Sequence, residues 1–219
     1  MMRRVGDPRP LGAPGRLPLP GRPRRGRAFR VLVLGGARSG KSVTAEGMLS
    51  RRPQALYVAC GRPADDSDPG WAERVRLHRE RRPAHWNTLE TLDLEGVLAA
   101  DGAANANADE HSAAADRETP VLVDCLSTWL AGVMDECGLW TGTAGADKEL
   151  AARVDGLLQA WHSTRRVVVA VSNEVGSGVV PATASGVRFR DELGRLNARV
   201  AADCEQVWLC TAGIARRLR

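Results

Sequence analysis

Gly35-Gly36-Ala37-Arg38-Ser39-Gly40-Lys41-Ser42 fits the pattern GxxxxGK[ST]. The spacing has a mechanical reason. Glycines let the backbone curl until successive N–H groups converge on one anion. An apolar run, Val31-Leu32-Val33-Leu34, precedes the motif, and a helix is expected from Lys41 to about Ser50. The positive end of that helix would face the same anion. Lys41 would then reach the outer phosphates of a nucleotide, and the Ser42 hydroxyl would ligate Mg2+. Asp124 closes another buried run, Val121-Leu122-Val123. A carboxylate at such a strand end is the expected partner of the metal, and it could also cap the helix that follows.

His78 is the second chemical candidate. It lies in Trp71–Arg82 with Arg74, Arg76, Arg79, Arg81 and Arg82. On a helix, Arg74, Arg81 and Arg82 share its side. Such arginines attract polyphosphate and stabilise charge developing on it. A neutral imidazole beside a triphosphate is a nucleophile for phosphorus. Local sequence alone favours the plainer reading, a half-buried histidine filling space. His85, His111 and His162 sit in weaker contexts. Asn173-Glu174-Val175-Gly176-Ser177-Gly178 follows a further apolar run. Its polar pair could position a substrate hydroxyl or a metal-bound water, or the segment is an ordinary turn. Arg188, Arg190 and Arg195 could meet anions or form a solvated helix face.

The elements that must hold these groups follow from periodicity. Strands are expected at 30–34, 55–60, 120–124, 167–171 and 207–210, the last strand being 207–210. Helices are expected at 41–50, 71–82, 91–100, 126–136, 146–164 and 190–204. Apolar strands alternating with helices imply an α/β fold, a mostly parallel sheet covered by helices on both faces. Ligands then bind beyond the carboxyl ends of the strands, where most of these motifs fall.

Composition bounds the rest. The chain has 219 residues, 43% hydrophobic and 26% charged, enough for one large domain with a real core. No apolar run approaches the about 18 residues of a membrane-spanning helix. The five cysteines, at 60, 125, 137, 204 and 210, show no CxxC spacing, which argues against a disulfide scaffold or a zinc knuckle. They suit a reducing cytoplasm. The net charge of +5 is unevenly spread. Residues 1–30 carry +8, and the remaining 189 carry −3. Residues 1–29 are therefore expected to be a disordered, Pro/Arg-rich basic tail, and residues 30–219 the domain. Residues 101–119 offer no core-facing stripe and are expected to be a surface insertion. A nucleic-acid-binding ATPase would suit the tail, but the domain's net negative charge opposes it. A small-molecule kinase lacking any transferase activity is the other alternative.

Six segments in this order carry a resemblance: GGARSGKS (35–42), LYVA (56–59), RVRLHRERRPAHW (74–86), VLVDCLSTWL (121–130), SNEVGSGVVP (172–181) and RFRDELGRLNARVAADCEQVWL (188–209). The chain resembles the bifunctional adenosylcobinamide kinase / adenosylcobinamide-phosphate guanylyltransferases of cobalamin biosynthesis over about residues 30–219. The resemblance implies a RecA-like fold, a homotrimer, and two reactions. ATP or GTP phosphorylates adenosylcobinamide. GTP then guanylylates a histidine, which passes GMP to adenosylcobinamide phosphate and yields adenosyl-GDP-cobinamide. The guanylylated position falls on His78, overturning the plainer local reading. GTP contacts would fall on Gly36, Ala37, Arg38, Ser39, Gly40, Lys41 and Ser42 of the loop. Further contacts would fall on Cys60, Gly61, Arg62, Arg79, Glu80, Arg81, Arg82, Glu90 and Asp124. Ser42 and Asp124 would hold Mg2+. Cys60 stands where a threonine is common in the family.

Overall fold

The computed structural model describes residues 28–61, 68–99 and 119–219. Residues 1–27 of the expected tail, Arg62, and residues 101–118 of the expected insertion lie outside these. Seven strands form one sheet: β1 (Phe29–Gly35), β2 (Leu56–Ala59), β3 (Asn87–Glu90), β4 (Val121–Asp124), β5 (Val167–Asn173), β6 (Gln206–Thr211) and β7 (Ile214–Arg217). Among the described residues six α-helices accompany them: α1 (Lys41–Leu49), α2 (Pro69–Arg81), α3 (Leu94–Ala99), α4 (Leu126–Glu136), α5 (Ala146–Ser163) and α6 (Ala184–Ala202).

The sheet order is β3-β2-β4-β5-β1-β6-β7. Every pairing is parallel except β6 with β7. β1 therefore lies between β5 and β6, with Gly35 opposite Asn173 on one side and Cys210 on the other. Asp124 ends β4 one strand further along, and Ala59 ends β2 beside it. The phosphate loop, Asp124 and Cys60-Gly61 thus all emerge from the same edge.

Strand alternation divides the core. Leu32, Val58, Val123 and Ala170 face Trp129, Leu130, Leu157, Trp161 and Leu196 of the α4–α6 layer. Val31, Val33, Tyr57, Leu122 and Val169 face Ala45, Met48 and Leu49 of α1. Each fully buried side chain of this size contributes roughly 1.5–3 kcal/mol.

Two strands were not expected from periodicity. β3 (NTLE) is exposed throughout, an edge strand with no apolar run to reveal it. β7 (IARR) makes an antiparallel hairpin with β6, so 207–210 is not the last strand. Its two-residue turn, Ala212-Gly213, takes φ of 51° and 80°, the geometry that matches strand twist in tight hairpins. α6 starts at Ala184, earlier than the expected 190, because Thr183 accepts a hydrogen bond from the Gly186 N–H (3.1 Å) and caps it. α2 starts at Pro69 because Asp68 accepts from the Trp71 N–H (2.9 Å).

Candidate active site

The loop after β1 is shaped by close packing. A Cβ on Gly35 would lie 2.6 Å from the Cys210 carbonyl oxygen, so only glycine fits there. Arg38 (φ 57°) and Gly40 (φ 91°) supply the left-handed residues of the curl. The hairpin turn braces it from outside: the Gly213 N–H donates to the Ser39 carbonyl (3.0 Å). Lys41 is buried, and its Nζ donates to the Gly36 carbonyl at 3.1 Å. Ser39 Oγ is buried without a hydrogen-bond partner, a polar group in the place where an anion would complete it.

One turn beyond Ser42 on α1, Glu46 is 7% exposed. Arg81 of α2 grips it with two bonds, Nε to Oε2 at 2.6 Å and Nη2 to Oε1 at 2.8 Å. This fork fixes α2 across the loop and so positions His78, one turn back on the same helix.

Asp124 gathers the remaining groups. The Tyr57 hydroxyl donates to its Oδ2 at 2.7 Å. His78 Nδ1 lies 3.6 Å from the same oxygen, at ion-pair distance. Ser42 lies near this carboxylate and also favours its charged form. Burial pushes the Asp124 carboxyl up, but His78, Tyr57 and Ser42 around it outweigh burial and hold it below the usual carboxylate range. Burial first, and the Asp124 charge second, push the Tyr57 phenol far above its usual value, so it remains a donor. The Arg82 guanidinium stacks 3.4 Å from the Tyr57 ring centroid. Ser42 and Asp124 thus bring hard oxygen donors to the loop end of the sheet, the donor chemistry that Mg2+ prefers.

Two clefts meet at His78. One, of about 1170 Å³, has loop residues Arg38–Ser42 on one wall and Leu77, His78 and Arg81 of α2 on another. The other, of about 590 Å³, is bordered by Tyr57, Gly61, Trp71, Arg79 and Glu90, with His78 and Asp124 between them. A nucleotide with its phosphates on the loop could reach the imidazole from either side.

A family model described as cobinamide kinase / cobinamide phosphate guanyltransferase matches residues 31–218. The chain belongs to this family. The bifunctional adenosylcobalamin biosynthesis protein CobU of Salmonella typhimurium is 33% identical over 196 residues, covering 86% of this chain and 99% of that protein. The Escherichia coli protein of the same name is 34% identical with the same coverage. The bifunctional adenosylcobalamin biosynthesis protein CobP of Pseudomonas aeruginosa is 34% identical, covering 87% and 98%. Among solved structures, an ATPase from a bacterial type III secretion system aligns with a TM-score of 0.50 at 10% identity. It covers 84% of this chain and 51% of that one, and it supports the RecA-like α/β fold.

Against this cobinamide kinase / guanyltransferase framework, the expected site residues sort unevenly. Gly36–Ser42, Gly61, His78, Arg79, Arg81, Arg82, Glu90 and Asp124 gather at the loop and the two clefts. Cys60 is buried and lines a third cleft beyond Gly61 and Trp71. Burial, then Cys125 and Asp124, push its thiol up, so it is a weak neutral donor to the Val58 carbonyl (3.8 Å). Glu80 points outward and pairs with Arg76 on the exposed face of α2. Arg62 lies outside the described residues. The arginines around the histidine are not loose charges. Arg79 pairs with Glu90, Arg81 with Glu46, and Arg82 stacks on Tyr57 while donating to Thr88.

The segment after β5 is not among the residues lining the two clefts at His78. The Glu174 N–H donates to the Gly35 carbonyl (3.1 Å), while its carboxylate turns to the Gly176 N–H (2.7 Å). Arg188, Arg190 and Arg195 make surface ion pairs with Asp147, Asp191 and Glu192. His162 faces Asp203, also on the surface. Glu46, Tyr57 and Trp71 were missed by motif reading. Glu46 had a signal, since it shares a helix face with Ser42 four residues earlier.

Proposed function

We propose that this chain performs both reactions of its family: it phosphorylates adenosylcobinamide with ATP or GTP, then moves GMP from GTP to the product through His78. One observation carries the reading. His78 borders both the cleft over the phosphate loop and the adjoining cleft, so one nucleotide site serves two chemistries.

In the first reaction the substrate hydroxyl attacks the γ-phosphorus. Its proton leaves, and the bond to the β-phosphate oxygen breaks. Loop N–H groups and Lys41 hold the charge that develops. Ser42 and Asp124 would hold Mg2+, which supplies Lewis-acid neutralisation of phosphate charge when bound. In the second reaction a histidine nitrogen attacks the α-phosphorus of GTP. The α–β phosphoanhydride bond breaks and pyrophosphate departs. With Nδ1 turned towards Asp124, Nε2 is the nitrogen left to attack. The substrate's phosphate oxygen then attacks the same phosphorus, the P–N bond breaks, and adenosyl-GDP-cobinamide forms. Splitting one difficult displacement into two lowers each barrier.

Guanine selection would fall to the Gly61, Arg79 and Glu90 side of the second cleft. A cytoplasmic homotrimer completes the reading. All five cysteines are free and buried, which supports the reducing compartment, and no described helix is long and apolar enough to cross a membrane. The test supplies the pure chain with GTP, Mg2+ and adenosylcobinamide and weighs the products. Adenosyl-GDP-cobinamide and pyrophosphate are expected. Adenosylcobinamide phosphate as the sole corrinoid product would leave only the kinase half.

A further inference from the structure

Glu46, His78 and Asp124 come from three separate elements, α1, α2 and the end of β4. Each offers a ligand atom within 4.8 Å of the other two. We propose that these three residues form a binding site for a borderline divalent transition-metal cation of the Zn2+ or Co2+ class, separate in chemistry from the Mg2+ position at Ser42 and Asp124.

The donor set decides the metal. Two carboxylate oxygens and one imidazole nitrogen suit Zn2+ and Co2+, whereas Mg2+ prefers oxygen alone and keeps its waters. The spacing is close to what such an ion needs. Bonds of about 2.0–2.2 Å to a tetrahedral centre put neighbouring ligand atoms roughly 3.4 Å apart. His78 Nδ1 and Asp124 Oδ2 already stand at 3.6 Å, and Glu46 offers a ligand atom within 4.8 Å of both.

The ligands are also held from behind. Arg81 fixes Glu46 through both oxygens, and Tyr57 donates to Asp124. Hydrogen-bonded ligating carboxylates are typical of metal sites. Glu46 and Asp124 have side chains 9% and 8% exposed, and His78 21%, so the set is rigid yet reachable from the cleft. Two carboxylates against one guanidinium leave a net negative charge for a dication. The guanidinium keeps the affinity moderate.

The site has a consequence that rests on the His78 reading above. A cation on Nδ1 takes that lone pair and leaves the proton on Nε2, so neither nitrogen can attack phosphorus. Zn2+ would therefore block guanylylation.

The site itself is tested without nucleotide. Calorimetry of the full chain with Zn2+ is expected to show one site, weakened about tenfold or more by Glu46→Gln and by His78→Ala, and unchanged by His162→Ala. Because Glu46→Gln also loosens the Arg81 fork, the unmodified chain supplies a second readout. Co2+ should give a visible absorption band that one equivalent of Zn2+ bleaches. Equal Zn2+ affinity in all variants, or no Co2+ band, would each overturn the site. Zn2+ binding with the expected dependence, but with GTP labelling of the chain undiminished, would keep the site and remove the nucleophile role.

Discussion

The Tyr57 hydroxyl gives the sharpest test of how the site is held. Tyr57→Phe removes one O–H donor from Asp124 and little else. The ring is 1% exposed and packed in the α1-facing core, and its stacking with Arg82 survives the change. A hydrogen bond to a charged acceptor contributes about 1.5–3 kcal/mol. Asp124 keeps His78 at ion-pair distance and Ser42 nearby, so it is not isolated, and the lower end of that range is expected. For a domain of this size the loss corresponds to a fall of roughly 3–6 °C in the thermal midpoint. The effect should depend on pH. The folded Asp124 value lies below its usual one, near 3.8. Its stabilisation is therefore present above about pH 4 and is lost as the pH falls through the folded value. The gap between wild type and Tyr57→Phe should thus be largest at neutral pH and shrink in acid. Urea unfolding at several pH values measures it directly. Identical midpoints at neutral pH, or a gap that grows in acid, would refute the placement of this hydroxyl on an ionised Asp124.

Three further outcomes follow from the same geometry. Arg81→Ala leaves Glu46 buried without its fork and should cost about 2 kcal/mol, between the values for surface and buried pairs, because Arg81 is itself 35% exposed; an unchanged urea midpoint would contradict this. Lys41→Ala should lower the rates of phosphoryl transfer and of guanylylation together by roughly 100-fold or more, with the fold retained by circular dichroism; wild-type rates would remove the loop from the chemistry. On the alkaline side, burial raises the Cys204 thiol from 9.0 to about 12. Its contribution is full below about pH 9, and between these values the unfolded chain ionises first, so stability falls by about 1.4 kcal/mol per pH unit. A urea midpoint that is flat from pH 8 to about pH 11 would contradict that burial.

Sequence legibility followed the physics of each element. β1, β2, β4, β5 and β6 are apolar runs buried on two faces, and such runs announce themselves. β3 and β7 lie at the edges, are exposed, and carry polar or basic residues, so no period marks them. The phosphate loop was legible because one backbone conformation demands its glycines. His78 was not legible from its neighbours. The family resemblance marked it, and the fold supplies the physical reason: Arg81 pins α2 to Glu46 and brings the ring to Asp124, contacts between residues 35 and 46 positions apart. The arginine cluster read as free positive charge, whereas folding pairs Arg79 and Arg81 with carboxylates that periodicity does not identify.

The measurement that bears most directly on the account is covalent labelling with GTP carrying a radioactive α-phosphate. The wild-type chain should take up label that is stable in base and released in acid, as a phosphoramidate requires. His78→Ala should take up none while still binding GTP. Equal labelling of the alanine variant would contradict the claim that this imidazole carries the nucleotide.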